Sequence, residues 1–402
     1  MNVELLAPAG NFEKLKTALY FGADAVYLGG KHFSLRTFAD NFTSEELMEA
    51  TTLAHKIGKK VYVTANIYAR NADFPMLKDY FMELERIGVD GVIVSDPGIV
   101  YAVKKFAPKL NIHLSTQANT TNAYAVQFWK EQGVSRVILA RELPIKEIAE
   151  IHEAVPDMEL EAFVHGAMCI SYSGRCLLSD YLDGRSSNRG ACVQSCRWKY
   201  EVRALNATNG KSEWLPIEQD GKGTYIFNSK DLNMLSRLEE MERAGIRSFK
   251  IEGRMKSGYY LATVINAYRR AIDGGDISAL ENELLAVAHR DYTEGYASGE
   301  NSQTVNYNDS QSKGDYTYIA DVVGYENAQA LVQMRNRFKT GERLEILSPS
   351  ERFGQAFMVE SAIDSKGNET NDCKLVQEIY KINCPYPLEK GDYLRRKNKV
   401  DE

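Results

Sequence analysis

The sequence lacks the features of a membrane-bound or exported protein. No stretch of the chain approaches the ~18 consecutive apolar residues that a membrane-spanning helix needs. The first residues, Met1-Asn2-Val3-Glu4, have neither the basic nor the apolar region of a signal peptide. We therefore expect a cytoplasmic protein that does not act at a membrane.

The chain also lacks a net positive charge. The formal net charge is −6 at pH 7, whereas a protein that holds nucleic acid over a broad surface is usually basic. Any RNA would therefore have to be bound on a local patch of basic side chains. This lowers the expectation of nucleic-acid binding without excluding it.

Common hydrolase motifs are missing as well. The chain contains no H-E-x-x-H zinc motif, no G-x-S-x-G nucleophile motif and only six histidines. A cysteine nucleophile at Cys169 or Cys176, activated by His165, stays open because a thiolate beside an imidazolium is reactive. That interpretation would leave the neighbouring cysteines without a role.

What the sequence does contain is a repeated pattern that predicts a barrel. Five times in the first 255 residues, a helical run ends in Gly and a short apolar strand follows, as expected for helix C-termini that lead into buried parallel strands. Further strands are predicted at 4–7, 112–115 and 160–163, which brings the count to eight. The pattern favours a TIM-like (β/α)₈ barrel over an open doubly wound sheet.

The predicted barrel occupies residues 1–290, and a polar segment at 291–315 is interpreted as a linker. Within the barrel, 229–244 is predicted to be an amphipathic helix. Short apolar strands separated by turns then predict a small β-barrel domain at 316–402.

The barrel prediction locates the site, because function in such folds lies where the strands end. Asn66, Gln117, Glu252 and Arg254 each follow a predicted strand, and we expect them to bind substrate. Turn formation and helix capping would explain polar residues at these positions equally well.

A cysteine-rich loop, 165–200, follows the predicted seventh strand. Cys169, Cys176, Cys192 and Cys196 are spaced as C-x6-C, fifteen residues and C-x3-C, so that four thiols can meet at one centre. Four thiolates suit either zinc or an iron–sulfur cluster, and the wide first spacing favours the cluster.

The stretch from Glu161 to Ser179, E-A-F-V-H-G-A-M-C-I-S-Y-S-G-R-C-L-L-S, resembles the signature of the peptidase U32 family, long called collagenase-like proteases. Segments 4–10, 23–30, 229–232 and 250–256 also resemble family motifs. The resemblance therefore covers nearly all of the predicted barrel.

The resemblance implies an enzyme of oxygen-independent hydroxylation. The most similar branch acts on the wobble uridine of tRNA to give 5-hydroxyuridine, with prephenate or a similar small dicarboxylate as hydroxyl source, and a paralogous U32 protein is a further expected partner. It also implies a 4Fe-4S cluster on cysteines similar in position to Cys169, Cys176 and Cys192. Asn233 stands where some relatives have the fourth ligand, and Cys196 is the available substitute.

Within this hypothesis His165 is predicted to transfer protons because its ordinary pKa suits that role. Glu161 and Tyr172 are also predicted to be catalytic, and Arg175 and Arg197 to contact phosphate or a dicarboxylate. Two alternatives stay open: a collagenase-like peptidase that hydrolyses peptide bonds, and a zinc-stabilised RNA-binding module without catalytic activity.

Overall fold

A computed structural model describes most of the chain. The described residues are 1–31, 33, 41–169, 171–172, 174–198, 229–299 and 314–398, together with the backbone of four short strands between 203 and 224. Within them the chain divides into two compact units. The first consists of Met1–Leu15, Asp24–Met255 and Arg290–Ser312, and the second of Lys16–Ala23, Lys256–His289 and Lys313–Glu402.

The strands of the first unit are, in chain order, Glu4–Pro8 (β1), Ala25–Gly29 (β2), Lys60–Ala65 (β3), Gly91–Val94 (β4), Ile112–Leu114 (β5), Arg136–Ile138 (β6), Glu159–Ala167 (β7), Arg203–Leu205 (β8), Ser212–Trp214 (β9), Gln219–Asp220 (β10), Gly223–Thr224 (β11), Asp231–Asn233 (β12), Ile246–Ile251 (β13) and Tyr292–Thr293 (β14). The helices of the chain are Phe12–Tyr20 (α1), Ser44–Lys56 (α2), Phe74–Ile87 (α3), Pro97–Phe106 (α4), Ala123–Glu131 (α5), Ile145–Ala154 (α6), Leu178–Asp183 (α7), Leu238–Arg243 (α8), Gly258–Ile272 (α9) and Ile277–Leu284 (α10).

Strands β1 to β7 and β13 form a closed parallel barrel. Each strand pairs with the next, and β13 closes the ring because Phe249 pairs with Leu5 of β1 on one side and with Ala162 of β7 on the other. The strands are almost fully buried, as the continuous apolar runs predict for a sheet covered on both faces. The barrel fold predicted from the sequence is confirmed.

The seventh strand runs beyond the others and gains extra partners. Leu232 of β12 pairs antiparallel with Gly166 of β7, and β14 pairs parallel with β12. The predicted helix at 229–244 is therefore wrong in its first part, which is strand β12, and α8 begins only at Leu238. The physical reason is that the extended edge of β7 needs backbone hydrogen-bond partners.

The remaining strands belong to the second unit and form its antiparallel sheets. They are Tyr316–Glu326 (β15), Gln329–Met334 (β16), Phe338–Lys339 (β17), Arg343–Leu347 (β18), Ala356–Met358 (β19), Ala362–Ile363 (β20), Asp372–Cys373 (β21), Ile379–Asn383 (β22) and Tyr393–Lys397 (β23). The larger sheet has the order β19-β18-β23-β15-β16-β22-β20. Within the described residues no pairing joins its two end strands, so the predicted small β-barrel is an antiparallel half-barrel.

The predicted linker, 291–315, opens with strand β14, and its residues 300–313 lie outside the described part of the chain. Among the described helices, none is long and apolar enough to cross a membrane.

Candidate active site

A cavity of about 180 Å³ lies at the carboxyl ends of the barrel strands. Its walls come from the turns after β3, β5, β6, β7 and β13 and from the cysteine-rich loop. Ten of the predicted site residues line it: Asn66, Gln117, Cys169, Tyr172, Cys176, Cys192, Cys196, Arg197, Glu252 and Arg254. The other three, Glu161, His165 and Arg175, do not.

The cysteine-rich loop is anchored to the turn that follows β3. Arg189 donates two hydrogen bonds to the Asp73 carboxylate, at 3.0 and 3.1 Å, and a third to the carbonyl of Tyr68 at 2.7 Å. The Arg189 hydrogen bond lowers the pKa of Asp73. Tyr68 in turn donates from its hydroxyl to the carbonyl of Gly174 at 2.5 Å. These bonds fix the loop over the mouth of the barrel.

Close packing between Cys169 and Cys176 explains why residue 174 is a glycine. A side chain at Gly174 would place its first carbon 2.3 Å from the carbonyl oxygen of Gln117, and the backbone there has a φ of 75°. Only glycine fits this position without displacing backbone. Next to it, the carbonyl of Cys176 accepts hydrogen bonds from Ser187 at 2.9 Å and Asn188 at 3.3 Å, which ties the two halves of the loop together.

All four loop cysteines line the cavity, and their thiols are close enough to influence one another. Burial raises the pKa of Cys196 to about 11; the charge of Arg197 opposes this shift, and the other three thiols add to it. Within the described residues, no group of three or more His, Cys, Asp or Glu side chains is arranged to hold a metal ion. Asn233 does not line the cavity, and its side-chain oxygen accepts from the Leu235 amide at 3.1 Å.

A β-bulge moves His165 off the cavity. Lys250 pairs with Phe163, but the next pair along the strands is Ile251 with His165, so Val164 is an extra residue in β7. A bulge reverses the alternation of side chains that follows it. His165 is consequently buried with its ring 5.5 Å from that of Tyr292. Its predicted catalytic role is not supported by this placement.

Glu161 is buried inside the barrel below the cavity. Its carboxylate accepts from Lys250 at 2.7 Å and from Arg136 at 3.0 Å. Arg136 also donates to Glu4 at 2.6 Å, and Tyr62 donates to the same carboxylate at 2.8 Å. Burial alone would raise the pKa of Glu4, but Arg136 and these hydrogen bonds outweigh it and lower the pKa. Glu161 therefore holds other charges in position and has no direct access to a ligand.

The structure also identifies site residues outside the predicted set. Lys250 and Arg141 line the cavity; Arg141 donates to the carbonyl of Ala167 at 3.1 Å and lies 5.4 Å from the ring centre of Phe163. The signal for Lys250 is a lysine flanked by apolar residues in β13, which pairs with β7, where Glu161 is likewise flanked by apolar residues. Two opposite charges in strands that pair predict a buried ion pair.

The remaining predicted residues differ in exposure. Tyr172 is at the cavity mouth with 53% of its surface exposed. Arg175 is exposed and outside the lining. Arg254 is buried, donating to Asn41 at 2.5 Å and to Thr64 at 3.3 Å. Burial lowers the pKa of Arg197, and the nearby Arg290 guanidinium adds to that shift.

Comparisons with known proteins agree with this architecture. The sequence model of Peptidase family U32 matches residues 10–307, and that of the Peptidase family U32 C-terminal domain matches 314–395. The chain is 40% identical to tRNA hydroxylation protein P1 of Bacillus subtilis, over 98% of this chain and 94% of the relative. It is 38% identical to tRNA hydroxylation protein P of Escherichia coli, over 90% of each. A protein named collagenase, from Porphyromonas gingivalis, is 32% identical over 75% of each.

Proposed function

Because the chain belongs to peptidase family U32, we propose that it is an enzyme that hydroxylates tRNA, with the wobble uridine as target and 5-hydroxyuridine as product. The relatives that cover at least 90% of this chain include two named for tRNA hydroxylation. The structural observation that carries the proposal is the cavity itself. Four thiols of one loop and the polar strand ends of the barrel face the same space.

The cysteines fit a 4Fe-4S cluster, with Cys169, Cys176, Cys192 and Cys196 as its ligands. Such clusters are held by four thiolates, and the four thiols here surround one cavity. Zinc is the less favoured occupant because structural zinc sites use closely spaced C-x2-4-C pairs, whereas six residues separate Cys169 from Cys176.

When bound, the cluster supplies electron transfer or a Lewis-acidic iron beside the cavity. The chain's own contribution at the ligands is electrostatic. Burial raises the pKa of Cys196 to about 11, so this thiol is protonated at neutral pH and has to give up its proton to a bound metal. Arg197 lies against it and offsets the negative charge of the thiolates.

The arginines of the cavity suit an anionic ligand near the cluster. Arg141, Arg197 and Arg254 line the same space, and guanidinium groups bind carboxylates and phosphates through paired hydrogen bonds. A small dicarboxylate such as prephenate is the proposed hydroxyl source. That donor and a paralogous U32 partner rest on the family resemblance, and we also propose a cytoplasmic location.

A peptidase is the less favoured alternative. A cysteine nucleophile needs a base within hydrogen-bond reach, but His165 packs against Tyr292 and no histidine is among the described residues that line the cavity. A zinc-stabilised binding module is disfavoured by the wide spacing between Cys169 and Cys176.

The proposal is tested in a strain from which the gene is deleted. Mass spectrometry of tRNA nucleosides should show that 5-hydroxyuridine is lost, restored by the wild-type gene and not restored by a Cys192→Ser gene. The matched control is Cys384→Ser, because Cys384 is a buried cysteine of the second unit. An unchanged nucleoside profile in the deletion strain would contradict the proposal.

A further inference from the structure

Lys250 is a cation at the floor of the cavity, within the barrel. It is buried on β13, and its ammonium donates to Glu161 at 2.7 Å. An ammonium carries three N–H donors, and within the described residues Glu161 accounts for one. Because Lys250 also lines the cavity, its other donors are available to a ligand.

The floor around this ammonium is apolar and aromatic. The ring centres of Tyr27 and Phe163 lie 4.5 and 5.5 Å from the Lys250 nitrogen. Ile93 and Ile138 complete the floor. A flat ring that carries carbonyl oxygens suits such a surface. Its face can stack on the aromatic side chains, as bases do, and a carbonyl oxygen at its edge can accept a hydrogen bond from the Lys250 ammonium.

Among the described residues, two amide oxygens in the cavity wall have no hydrogen-bond partner. The side-chain oxygens of Asn66 and Gln117 are both buried, and neither has a partner within the described part of the chain. Buried acceptors normally receive a hydrogen bond. An ionised carboxylate or phosphate has no hydrogen to give, whereas the N–H of a uracil ring and the hydroxyls of ribose do. The unmet acceptors therefore favour a nucleoside over a simple anion in this part of the cavity.

The size of the cavity agrees with a small occupant. Its volume of about 180 Å³ is below the roughly 300–1,000 Å³ of sites for drug-sized ligands. A run of nucleotides does not fit this scale, and the floor can take at most a single base, because the proposed cluster occupies the cysteine wall of the same cavity. Enzymes that act on a base commonly turn it out of its stack into such a pocket.

We propose that the barrel floor holds the target uracil, turned out of the RNA, with Lys250 donating to a ring carbonyl and Asn66 and Gln117 accepting from the ring N–H and the ribose. Glu161 is then a positioning residue that fixes the Lys250 ammonium. The inference rests on the proposed function and adds the residues that recognise the base.

The test compares two labelled anticodon stem–loops that differ only at the wobble position, which carries either uridine or an abasic ribose. Fluorescence anisotropy with the anaerobically purified, full-length protein gives both affinities. We expect the wild type to bind the uridine hairpin about tenfold more tightly, as loss of base stacking and one hydrogen bond implies. Phosphate contacts are common to both hairpins and cancel.

The decisive variant is the double change Lys250→Met with Glu161→Gln, which removes the donor without leaving an unpaired buried charge, because Arg136 keeps its contact with Glu4. This variant should bind the two hairpins equally, with the affinity that the wild-type protein has for the abasic hairpin. Lys250→Arg, which keeps a cationic donor, should retain part of the preference. Lys60→Met is the matched control, because Lys60 is an exposed lysine on a barrel strand, and it should leave the preference unchanged.

The outcomes separate the two proposals. Equal binding of both hairpins by the wild type, or a tenfold preference that survives in the double variant, overturns the inference and leaves tRNA hydroxylation standing. If the double variant fails to fold, Asn66→Leu gives the same readout from the opposite wall and should reduce the preference at least threefold. A wild-type protein that binds neither hairpin more tightly than an unrelated one contradicts the proposed function itself.

Discussion

Each unit of the chain buries a network of charges, and the two networks differ in what lies beside them. In the second unit, Arg395 donates to Glu283 at 2.5 and 2.7 Å and to Glu345 at 2.5 and 3.0 Å. In the barrel, Glu161 joins Arg136 to Lys250, which lines the cavity.

The comparison shows how the same chemistry serves two purposes. Buried ion pairs contribute little net stability, because desolvation costs about as much as the attraction returns. The Arg395 network packs charges that satisfy one another, and the planar guanidinium is shared by two carboxylates. The barrel network presents one end to a ligand. Substitutions in the Arg395 network should therefore change stability alone. Substitutions in the barrel network should change both stability and recognition of the base.

The largest effect is expected for Arg395→Met. It leaves the buried Glu283 carboxylate without its partner, so the free energy of unfolding of the second unit should fall by about 3–5 kcal/mol. Urea denaturation followed by circular dichroism measures this. The uridine preference should be unchanged. Arg343→Met, at an exposed arginine of β18, is the control and should stay within about 0.5 kcal/mol; equal effects of the two changes would contradict the assignment.

Glu161→Gln should have the next largest effect. The amide keeps the shape of the side chain but weakens two charged hydrogen bonds, which should lower the free energy of unfolding by about 2 kcal/mol. Because Lys250 loses its anchor, the uridine preference should also fall by about threefold. Glu159→Gln, on the more exposed carboxylate that Arg136 also contacts, should cost less than about 1 kcal/mol. If the Glu161→Gln protein kept the full uridine preference, the buried charge network would not contribute to recognition of the base, which would contradict the account.

A pH dependence should distinguish the barrel from the second unit. Burial lowers the pKa of His113, and the nearby Arg136 and Lys250 charges add to this. Its folded pKa thus lies below the unfolded value of about 6.5. The unfolded chain binds the proton more readily, so stability is lost as pH falls below about 6.5, by up to about 1.4 kcal/mol per pH unit. His113→Phe should flatten this part of the curve in thermal unfolding between pH 7 and 5; an unaltered slope would show that other groups cause it.

The smallest effect is expected where the loop meets the barrel. Asp73→Asn removes the partner of Arg189 at a partly exposed site and should reduce local stability by about 0.5–1 kcal/mol. Faster amide hydrogen exchange in the cysteine loop would show it. The folded pKa of Asp73 is lowered, so the wild-type loop should loosen in the same way as pH falls below the unfolded value of about 3.9. If Asp73→Asn made amide exchange faster only in the second unit, the proposed role of Asp73 in anchoring the cysteine loop would be contradicted.

The barrel could be predicted because its signals are local. Each Gly that ends a helix and each apolar strand that follows is visible within a few residues, and five copies of this pattern among eight predicted strands leave few alternatives. The cysteine loop was equally visible, because an unusual density of thiols follows one strand. The strand ends then placed Asn66, Gln117, Glu252 and Arg254 at the cavity without any knowledge of contacts.

The sequence-based predictions differ from the structure where a contact between residues distant in the chain determines the local conformation. Alternation along β7 places Glu161, Phe163 and His165 on one face, and only pairing with β13 reveals the extra residue that turns His165 away. Likewise residues 229–244 have helical periodicity, but the end of β7 that extends beyond its barrel neighbours pairs with 231–233. Lys250 is not predicted from the sequence, because a buried lysine gains meaning only from its partner on the neighbouring strand, Glu161 of β7.

The most direct test of the account is the metal content of the anaerobically purified protein. We predict about four irons and four acid-labile sulfides per chain, with absorbance near ~400 nm. Both should be lost in Cys176→Ser and kept in Cys373→Ala, a cysteine of the second unit. Zinc without iron or sulfide, or iron that persists after Cys176→Ser, would contradict the claim that this loop holds a cluster over the barrel.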